Sequence, residues 1–131
     1  MQEESTPAAV TAAFRVIVTG AMTWSNQAAI RRELAKLPPG STVVHGDCSG
    51  ADALAGQIAR QLGLRSVAMS KNKQDYAKFG RSAWKGLNER MLARGVQLVL
   101  AFHPNIEASR GTRHMVEIAR AAKVEVQIFT S

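Results

Sequence analysis

Residue types that can bind a ligand or carry out acid–base chemistry are concentrated in one stretch, His45-Gly46-Asp47-Cys48-Ser49-Gly50-Ala51-Asp52. An apolar run precedes it at residues 42–44, and a segment with helical apolar spacing follows it, so we expect a strand, a loop and a helix. Glycine lets the backbone approach a ligand closely, and the first N–H groups of a helix favour an anion. The stretch therefore predicts a site for a small ligand that carries phosphate.

The same stretch has structural explanations that compete with ligand binding. Ser49 and Asp52 fit a capping box with Asp in the place of Glu, and capping and ligand binding can both be true. Asp47 and Asp52 could accept ribose hydroxyls or act as a base, whereas Asp52 is also the natural partner of a cap. Cys48 precedes a helix N-terminus, where a thiolate nucleophile would be favoured, or it is a small residue that fills the loop.

Apolar runs and helical spacing alternate along the chain. Strands are predicted at residues 14–19, 42–44, 64–69, 96–102 and 124–129, with helices between them that begin near Ser25 or Asn26, near 50, near 83 and near 112. Residues 70–80 are rich in lysine and show no clean period, so we expect a long loop or short turns there. The pattern predicts a loose N-terminus (1–12) and one α/β domain (13–131), a Rossmann-like doubly wound parallel sheet of about five strands with helices on both faces.

Three glycine-bearing loops would converge in such a sheet. If the first and fourth strands are neighbours, the loops after strands one, two and four meet at the carboxyl edge, and they carry Gly20, Gly46, Gly50 and Gly111. Glycine in these turns could also serve steric needs alone. Neither a P-loop sequence nor a G-x-G-x-x-G sequence follows the first strand, which argues against P-loop kinases and dinucleotide oxidoreductases.

Composition narrows the class of protein. The 131-residue chain has one cysteine and three scattered histidines, which predicts no internal disulfide and no structural metal. We expect no required cofactor. It has no apolar run of membrane length and no signal peptide, so we expect a cytoplasmic protein without a membrane partner. Of its net charge of +7, residues 60–94 hold nine Lys and Arg against Asp75 and Glu89. Such a basic surface can attract nucleic acid or a polyphosphate, but a solvated face is commoner, and few aromatic residues are present to stack bases.

Four motifs resemble the YspA-like branch of the SLOG superfamily, whose Rossmann-like domains are related to the DNA-processing protein Smf/DprA and to the LOG phosphoribohydrolases. They are Thr19-Gly20 at the end of the first strand, His45-Gly46-x-x-x-Gly50-Ala51-Asp52, Asn88-x-x-Met91-Leu92, and Ala101-Phe102 leading to Gly111-Thr112. The resemblance covers about residues 14–129. It implies a nucleotide-binding domain, and by analogy a homo-oligomer.

The resemblance also implies which residues contact the ligand. The backbone of residues 46–51 and of Gly111-Thr112 would hold phosphate, with the Thr112 hydroxyl and Arg110 as further donors, unless Thr112 is only a cap. Trp24 would stack on a base or pack against the first helix. The full expected set is Thr19, Gly20, Ala21, Met22, Trp24, His45, Gly46, Asp47, Cys48, Ser49, Gly50, Ala51, Asp52, Asn88, Arg90, Phe102, Ser109, Arg110, Gly111 and Thr112.

Departures from the family pattern bear on catalysis. Relatives carry a small residue and Arg after the first glycine and an Arg before the asparagine, where this chain has Ala21-Met22 and Leu87. Met115 stands where LOG enzymes place a glutamate. Arg90 or Arg110 could replace the lost cation, and the candidate catalytic carboxylates are Asp47, Asp52, Glu89 and Glu117.

Three functions remain open from the sequence. The first is a module that binds a nucleotide-derived ligand as a sensor, sequestering or processing protein. The second is a hydrolase that cleaves the N-glycosidic bond of nucleoside 5′-monophosphates. The third is a DprA-like module whose binding to single-stranded DNA depends on salt.

Overall fold

The computed structural model describes residues 14–131, so the predicted loose terminus at residues 1–12 lies outside the described residues. The strands are β1 (Arg15–Gly20), β2 (Thr42–His45), β3 (Arg65–Ala68), β4 (Leu98–Phe102) and β5 (Glu125–Phe129). The helices are α1 (Gln27–Leu34), α2 (Ala51–Gln61), α3 (Lys73–Phe79), α4 (Trp84–Leu92) and α5 (Gly111–Ala121), with 3₁₀ turns at Gly80–Ser82 and Ile106–Ala108.

All five strands are parallel and lie in the order β3-β2-β1-β4-β5. β1 pairs with β2 on one side and with β4 on the other, so the chain changes its winding direction between β1 and β4. Ligands bind at such a point in open α/β sheets, outside the carboxyl ends of the strands. The prediction of a doubly wound parallel sheet with β1 beside β4 is confirmed.

The core has two halves, one on each face of the sheet. Alternate residues of β1 point to opposite faces, so Val16 and Val18 pack with α1 and α2, whereas Ile17 packs with α4 and α5. Central strands covered on both faces are apolar throughout, which is why β1 and β4 stand out as continuous apolar runs. The two helical layers thereby fix the loops at the carboxyl edge of the sheet.

The prediction of a loop at residues 70–80 is wrong, because the segment contains α3. Asn72 Oδ1 accepts from the Asp75 backbone N–H at 2.9 Å, and Asp75 Oδ2 accepts from the Asn72 N–H at 2.9 Å, which is a complete capping box. Arg90 of α4 also pairs with Asp75. These polar contacts stabilise a helix of seven residues that lacks a continuous apolar face.

The capping box expected at Ser49 and Asp52 is not formed. The residue before α2 is Gly50, with φ of 72°, and it has no side chain to cap the helix. Ser49 Oγ instead donates to the Met22 carbonyl at 3.3 Å, and the Asp52 carboxylate accepts from the Cys48 N–H at 3.4 Å. Asp52 therefore contacts the loop before α2 through the backbone N–H of Cys48, and not through Ser49 as predicted.

Candidate ligand-binding cavity

A cavity of about 490 Å³ lies at the carboxyl edge of the sheet, where the loops after β1, β2 and β4 meet. Gly20, Gly46 and Gly111 from the three loops all line it. Twelve of the expected site residues surround the cavity, namely Thr19, Gly20, Ala21, Met22, Gly46, Cys48, Asp52, Asn88, Ser109, Arg110, Gly111 and Thr112. The convergence inferred from strand order thus matches the placement of these residues.

Gly20 is required by the close approach of β1 to β4. A Cβ at Gly20 would lie 2.1 Å from the Phe102 carbonyl oxygen, and the next N–H, that of Ala21, donates to this oxygen at 2.9 Å. Any side chain at Gly20 would push the two strand ends apart. The glycine therefore sets the position of the loop that carries Ala21 and Met22 to the mouth of the cavity.

The N-terminus of α5 is open to the cavity. Among the described residues, the N–H groups of Gly111 and Arg113 have no acceptor, while the Thr112 N–H donates to Ser109 Oγ at 3.0 Å. Free N–H groups and the helix dipole favour an anion at this position. The exposed Arg110 and the buried Thr112 add a guanidinium and a hydroxyl to the same end. This helix end has the donors that phosphate recognition needs.

At the N-terminus of α2 one donor is taken up by a neighbouring loop. The Ala51 N–H donates to the Ala21 carbonyl at 3.1 Å, and a Cβ at Gly50 would lie 2.3 Å from the same oxygen. The loop before α2 thus packs against the loop after β1, and Gly50 and Ala51 are not among the residues that line the cavity. The N–H groups of Asp52 and Ala53 have no acceptor among the described residues, so phosphate on this backbone stays a prediction from the sequence.

Asp52 is a buried carboxyl group at the cavity, with 9% of the residue exposed. Its pKa is raised to about 7, chiefly by burial and further by the charge of Asp47, against the opposing effects of the Cys48 N–H and of Lys71. Gly46 is needed beside it, since a Cβ there would lie 2.8 Å from Asp52 Oδ2. A carboxyl group that exchanges its proton near neutral pH inside a cleft is suited to acid–base chemistry.

The thiol of Cys48 is not activated. Burial and the neighbouring Asp52 raise its pKa, and the charge of Lys71 opposes them. The direction of this shift favours the alternative in which Cys48 is a small residue that fills the loop. Cys48 is a half-buried neutral residue in the cavity wall.

Arg90 holds a loop rather than facing the cavity. Its guanidinium forms hydrogen bonds to both carboxylate oxygens of Asp75, with Nε 3.2 Å from Oδ1, and to the Ser70 carbonyl at 2.7 Å. Asp75 in turn is packed against Gly86, where a Cβ would lie 2.3 Å from Oδ1. These contacts fix the segment that carries Lys71, and Lys71 does line the cavity.

Sequence reasoning missed six residues of the wall, namely Thr23, Lys71, Trp84, Leu87, Met91 and His103. Trp84, Leu87 and Met91 come from α4, which presents an apolar side to the cavity. The only sequence signal for this wall is the motif around Asn88, which places one polar residue of α4 at the site. Lys71 carried no signal, because its position depends on the contacts of Arg90.

Eight expected residues lie outside the cavity wall: Trp24, His45, Asp47, Ser49, Gly50, Ala51, Arg90 and Phe102. Trp24 is 7% exposed, its ring centroid is 5.6 Å from that of Phe102, and its Nε1 donates to the Asn26 carbonyl at 3.0 Å. It packs in the core, as the alternative expectation held. His45 is buried, and its Nδ1 lies 2.6 Å from the carbonyl oxygen of Gly46.

Of the four candidate catalytic carboxylates, Asp52 lines the cavity. Glu89 and Glu117 are exposed and lie 3.7 Å from Lys78 Nζ and 3.6 Å from Arg113 Nε, respectively. Asp47 is exposed as well. Met115, where LOG enzymes place a carboxylate, is fully buried in the core. The LOG arrangement of acidic groups is therefore not reproduced at these positions.

Two other kinds of feature, a metal-binding cluster and a membrane-spanning helix, are not found within residues 14–131. No group of three or more His, Cys, Asp and Glu side chains is placed to hold a metal ion. No helix in this part of the chain is long and apolar enough to cross a membrane.

Comparison with known proteins gives the family. Residues 14–76 match the model of the "YspA, cpYpsA-related SLOG family". The fold is similar to that of DNA processing protein A (DprA) from Streptococcus pneumoniae, with a TM-score of 0.69, 17% identity and 90% of this chain covered. The chain belongs to the SLOG superfamily. This SLOG chain is also 34% identical over 122 residues to the Gene 61 protein of Mycobacterium phage D29, a match that covers 88% of this chain and 95% of that protein.

This chain spans about half the length of DprA, since the match covers 51% of that protein. At this identity the likeness shows the fold alone. The SLOG resemblance drawn from the motifs is confirmed, and the described structure adds how this member departs from the family pattern. Met22 and Leu87, which replace arginines, both line the cavity, so its wall is less basic and more apolar there.

Proposed function

We propose that this SLOG protein binds a phosphorylated, nucleotide-derived small ligand in the cavity, as a sensor, sequestering or processing module. The observation that carries the proposal is the open N-terminus of α5, where the N–H groups of Gly111 and Arg113 lack acceptors among the described residues. Arg110 and the Thr112 hydroxyl stand at the same end. Together they supply charge-assisted and neutral donors to one phosphate group.

The remainder of the cavity suits the rest of a nucleotide. Its volume of about 490 Å³ falls within the ~300–1,000 Å³ usual for small-molecule sites. Trp84, Leu87 and Met91 give it an apolar wall for a base, and Lys71 supplies a second cation. An apolar wall with a few placed polar groups is the usual composition of such sites.

Native mass spectrometry of the freshly purified protein tests the proposal, followed by thermal-shift measurements with adenosine 5′-monophosphate (AMP) and other nucleoside monophosphates. We expect a co-purified phosphorylated ligand, or a rise in melting temperature, since binding to the folded state stabilises it. Arg110→Gln should remove the shift. Arg113→Gln is the matched control, because the Arg113 side chain points to Glu117 at 3.6 Å and is not part of the cavity wall. Absence of any nucleotide effect would contradict the proposal.

A second candidate function, hydrolysis of the N-glycosidic bond of nucleoside 5′-monophosphates, is favoured by Asp52. A carboxyl group with a pKa of about 7 can protonate a departing base or activate water. Release of free base from AMP is the assay. Activity should be lost in Asp52→Asn and kept in Asp47→Asn, since the Asp47 side chain is exposed and outside the wall. Equal turnover by both variants would exclude Asp52 as the acid or base.

A further inference from the structure

The side-chain amide of Asn88 is held in one orientation at the cavity wall. Its Nδ2 donates to the Gly111 carbonyl at 3.1 Å and lies 3.0 Å from His114 Nδ1. The residue is 6% exposed and lines the cavity. Both protons of the amide nitrogen are thereby used. The carbonyl oxygen, Oδ1, makes no hydrogen bond to any residue in the described part of the chain, so it is the atom left for a ligand.

His114 determines this orientation through its tautomer. A ring nitrogen that accepts a hydrogen bond cannot carry a proton, so the contact from Asn88 requires a neutral ring with its proton on Nε2. The ring also packs edge-on against Trp84, with centroids 5.4 Å apart and planes at 81°. The aromatic contact and the amide together fix His114 relative to α4.

We propose that Asn88 Oδ1 selects ligands that carry a hydrogen-bond donor next to the phosphate, a sugar hydroxyl, and that neutral His114 is the positioning residue that holds Asn88 for this task. The inference rests on the proposed function. Asn88 is tied to Gly111, the first residue of α5, where the phosphate is proposed to bind. In a nucleoside 5′-monophosphate the group attached to the phosphate is the sugar, so its hydroxyls are the donors closest to this oxygen.

Protonation of His114 would weaken the arrangement. A ring with protons on both nitrogens offers no acceptor to Asn88 Nδ2, so the amide would be held by the Gly111 carbonyl alone. Burial and Lys85 lower the pKa of His114, while Glu89 of α4 and Glu117 of α5 raise it. The neutral form is therefore present at neutral pH.

The test measures dissociation constants for AMP and for its 2′-deoxy and 3′-deoxy forms between pH 5 and pH 8. All proteins carry Asp52→Asn, so the carboxyl group in the cavity wall does not contribute to the pH dependence. The phosphate ionises alike in the three nucleotides, so its titration cancels in the ratio of their dissociation constants. His114→Phe keeps an aromatic ring against Trp84 and removes the nitrogen. Arg113→Gln is the control, since the Arg113 side chain lies 3.6 Å from Glu117 and is not part of the cavity wall.

At pH 8 we expect at least one deoxynucleotide to bind about fivefold more weakly than AMP, the usual effect of one hydrogen bond. At pH 8 the ratio should be kept in Arg113→Gln and should fall in His114→Phe, and any decline of the ratio toward acid pH should be absent in His114→Phe. Equal affinities at pH 8, or an unchanged ratio in His114→Phe, would overturn the inference while leaving the proposed function intact. Failure of all three nucleotides to bind would overturn both.

Nitrogen NMR of the ligand-free protein gives a separate test of His114. At pH 8 the proton should reside on Nε2, with Nδ1 unprotonated. The opposite tautomer would overturn the inference even where nucleotides bind.

Discussion

Replacing Asp52 by asparagine should stabilise the protein at alkaline pH. The substitution keeps the shape of the side chain and an oxygen that accepts from the Cys48 N–H. It removes a group whose folded-state pKa of about 7 lies above the ordinary value of 3.8, because burial disfavours the charge. Well below the unfolded pKa of 3.8 the carboxyl group is protonated in both the folded and the unfolded chain. As the pH rises from about 4 to about 7, the unfolded chain loses the proton first and folding becomes less favourable.

The magnitude follows from the two pKa values. A pKa difference of one corresponds to about 1.4 kcal/mol, so the ionised carboxyl group lowers the free energy of unfolding by about 4 kcal/mol at pH 8. At pH 5 the effect is about 1.5 kcal/mol, because only the unfolded chain has then begun to ionise. Asp52→Asn should therefore be more stable than the wild type by these amounts at the two pH values.

Urea unfolding at pH 5, 6, 7 and 8 measures the effect for the wild type and for Asp52→Asn. Asp47→Asn is the control, since Asp47 is exposed and such substitutions usually change stability by less than about 0.5 kcal/mol. A gain in Asp52→Asn that does not grow between pH 5 and pH 8 would refute the reasoning. A loss of stability at pH 8 would show that the carboxylate is satisfied by contacts other than the Cys48 N–H.

Three further results are expected. Gly86→Ala should lower the free energy of unfolding by about 1–3 kcal/mol, because the new methyl group would overlap Asp75; unchanged urea unfolding would contradict this packing. Lys71→Gln should weaken AMP binding and its salt dependence in calorimetry, whereas Lys73→Gln, which is exposed and outside the cavity wall, should not; equal effects would remove Lys71 from the site. AMP affinity should fall above pH 7 as Asp52 ionises in the cavity that would hold the charged nucleotide, and a parallel fall in Asp52→Asn would assign the pH dependence to another group.

The elements that sequence analysis predicted well are those with a strong apolar period. β1 and β4 are covered on both faces and therefore appear as continuous apolar runs. Their adjacency was the condition set for a doubly wound sheet, and the strand order meets it. The position of α3 could not be read in this way. Its stability comes from the Asn72 and Asp75 caps and from Arg90, which is 15 residues away along the chain.

At the site, too, the features that follow from the local sequence were predicted, whereas those that depend on distant residues were not. Loops that follow strands were placed correctly, since strand order alone brings Gly20, Gly46 and Gly111 to one edge. The hydrogen bond that takes up the Ala51 N–H was not predictable, because its acceptor lies in a loop 30 residues earlier along the chain. The apolar wall formed by α4 was not predictable either, because it depends on how that helix crosses the sheet.

Amide chemical shifts during a titration with AMP test the central claim most directly. Binding of phosphate at the N-terminus of α5 should produce the largest changes at the amides of Gly111, Thr112 and Arg113, whose N–H groups begin the helix. Changes centred on the amides of residues 46–51 with none at α5, or no changes at saturating nucleotide, would contradict the account.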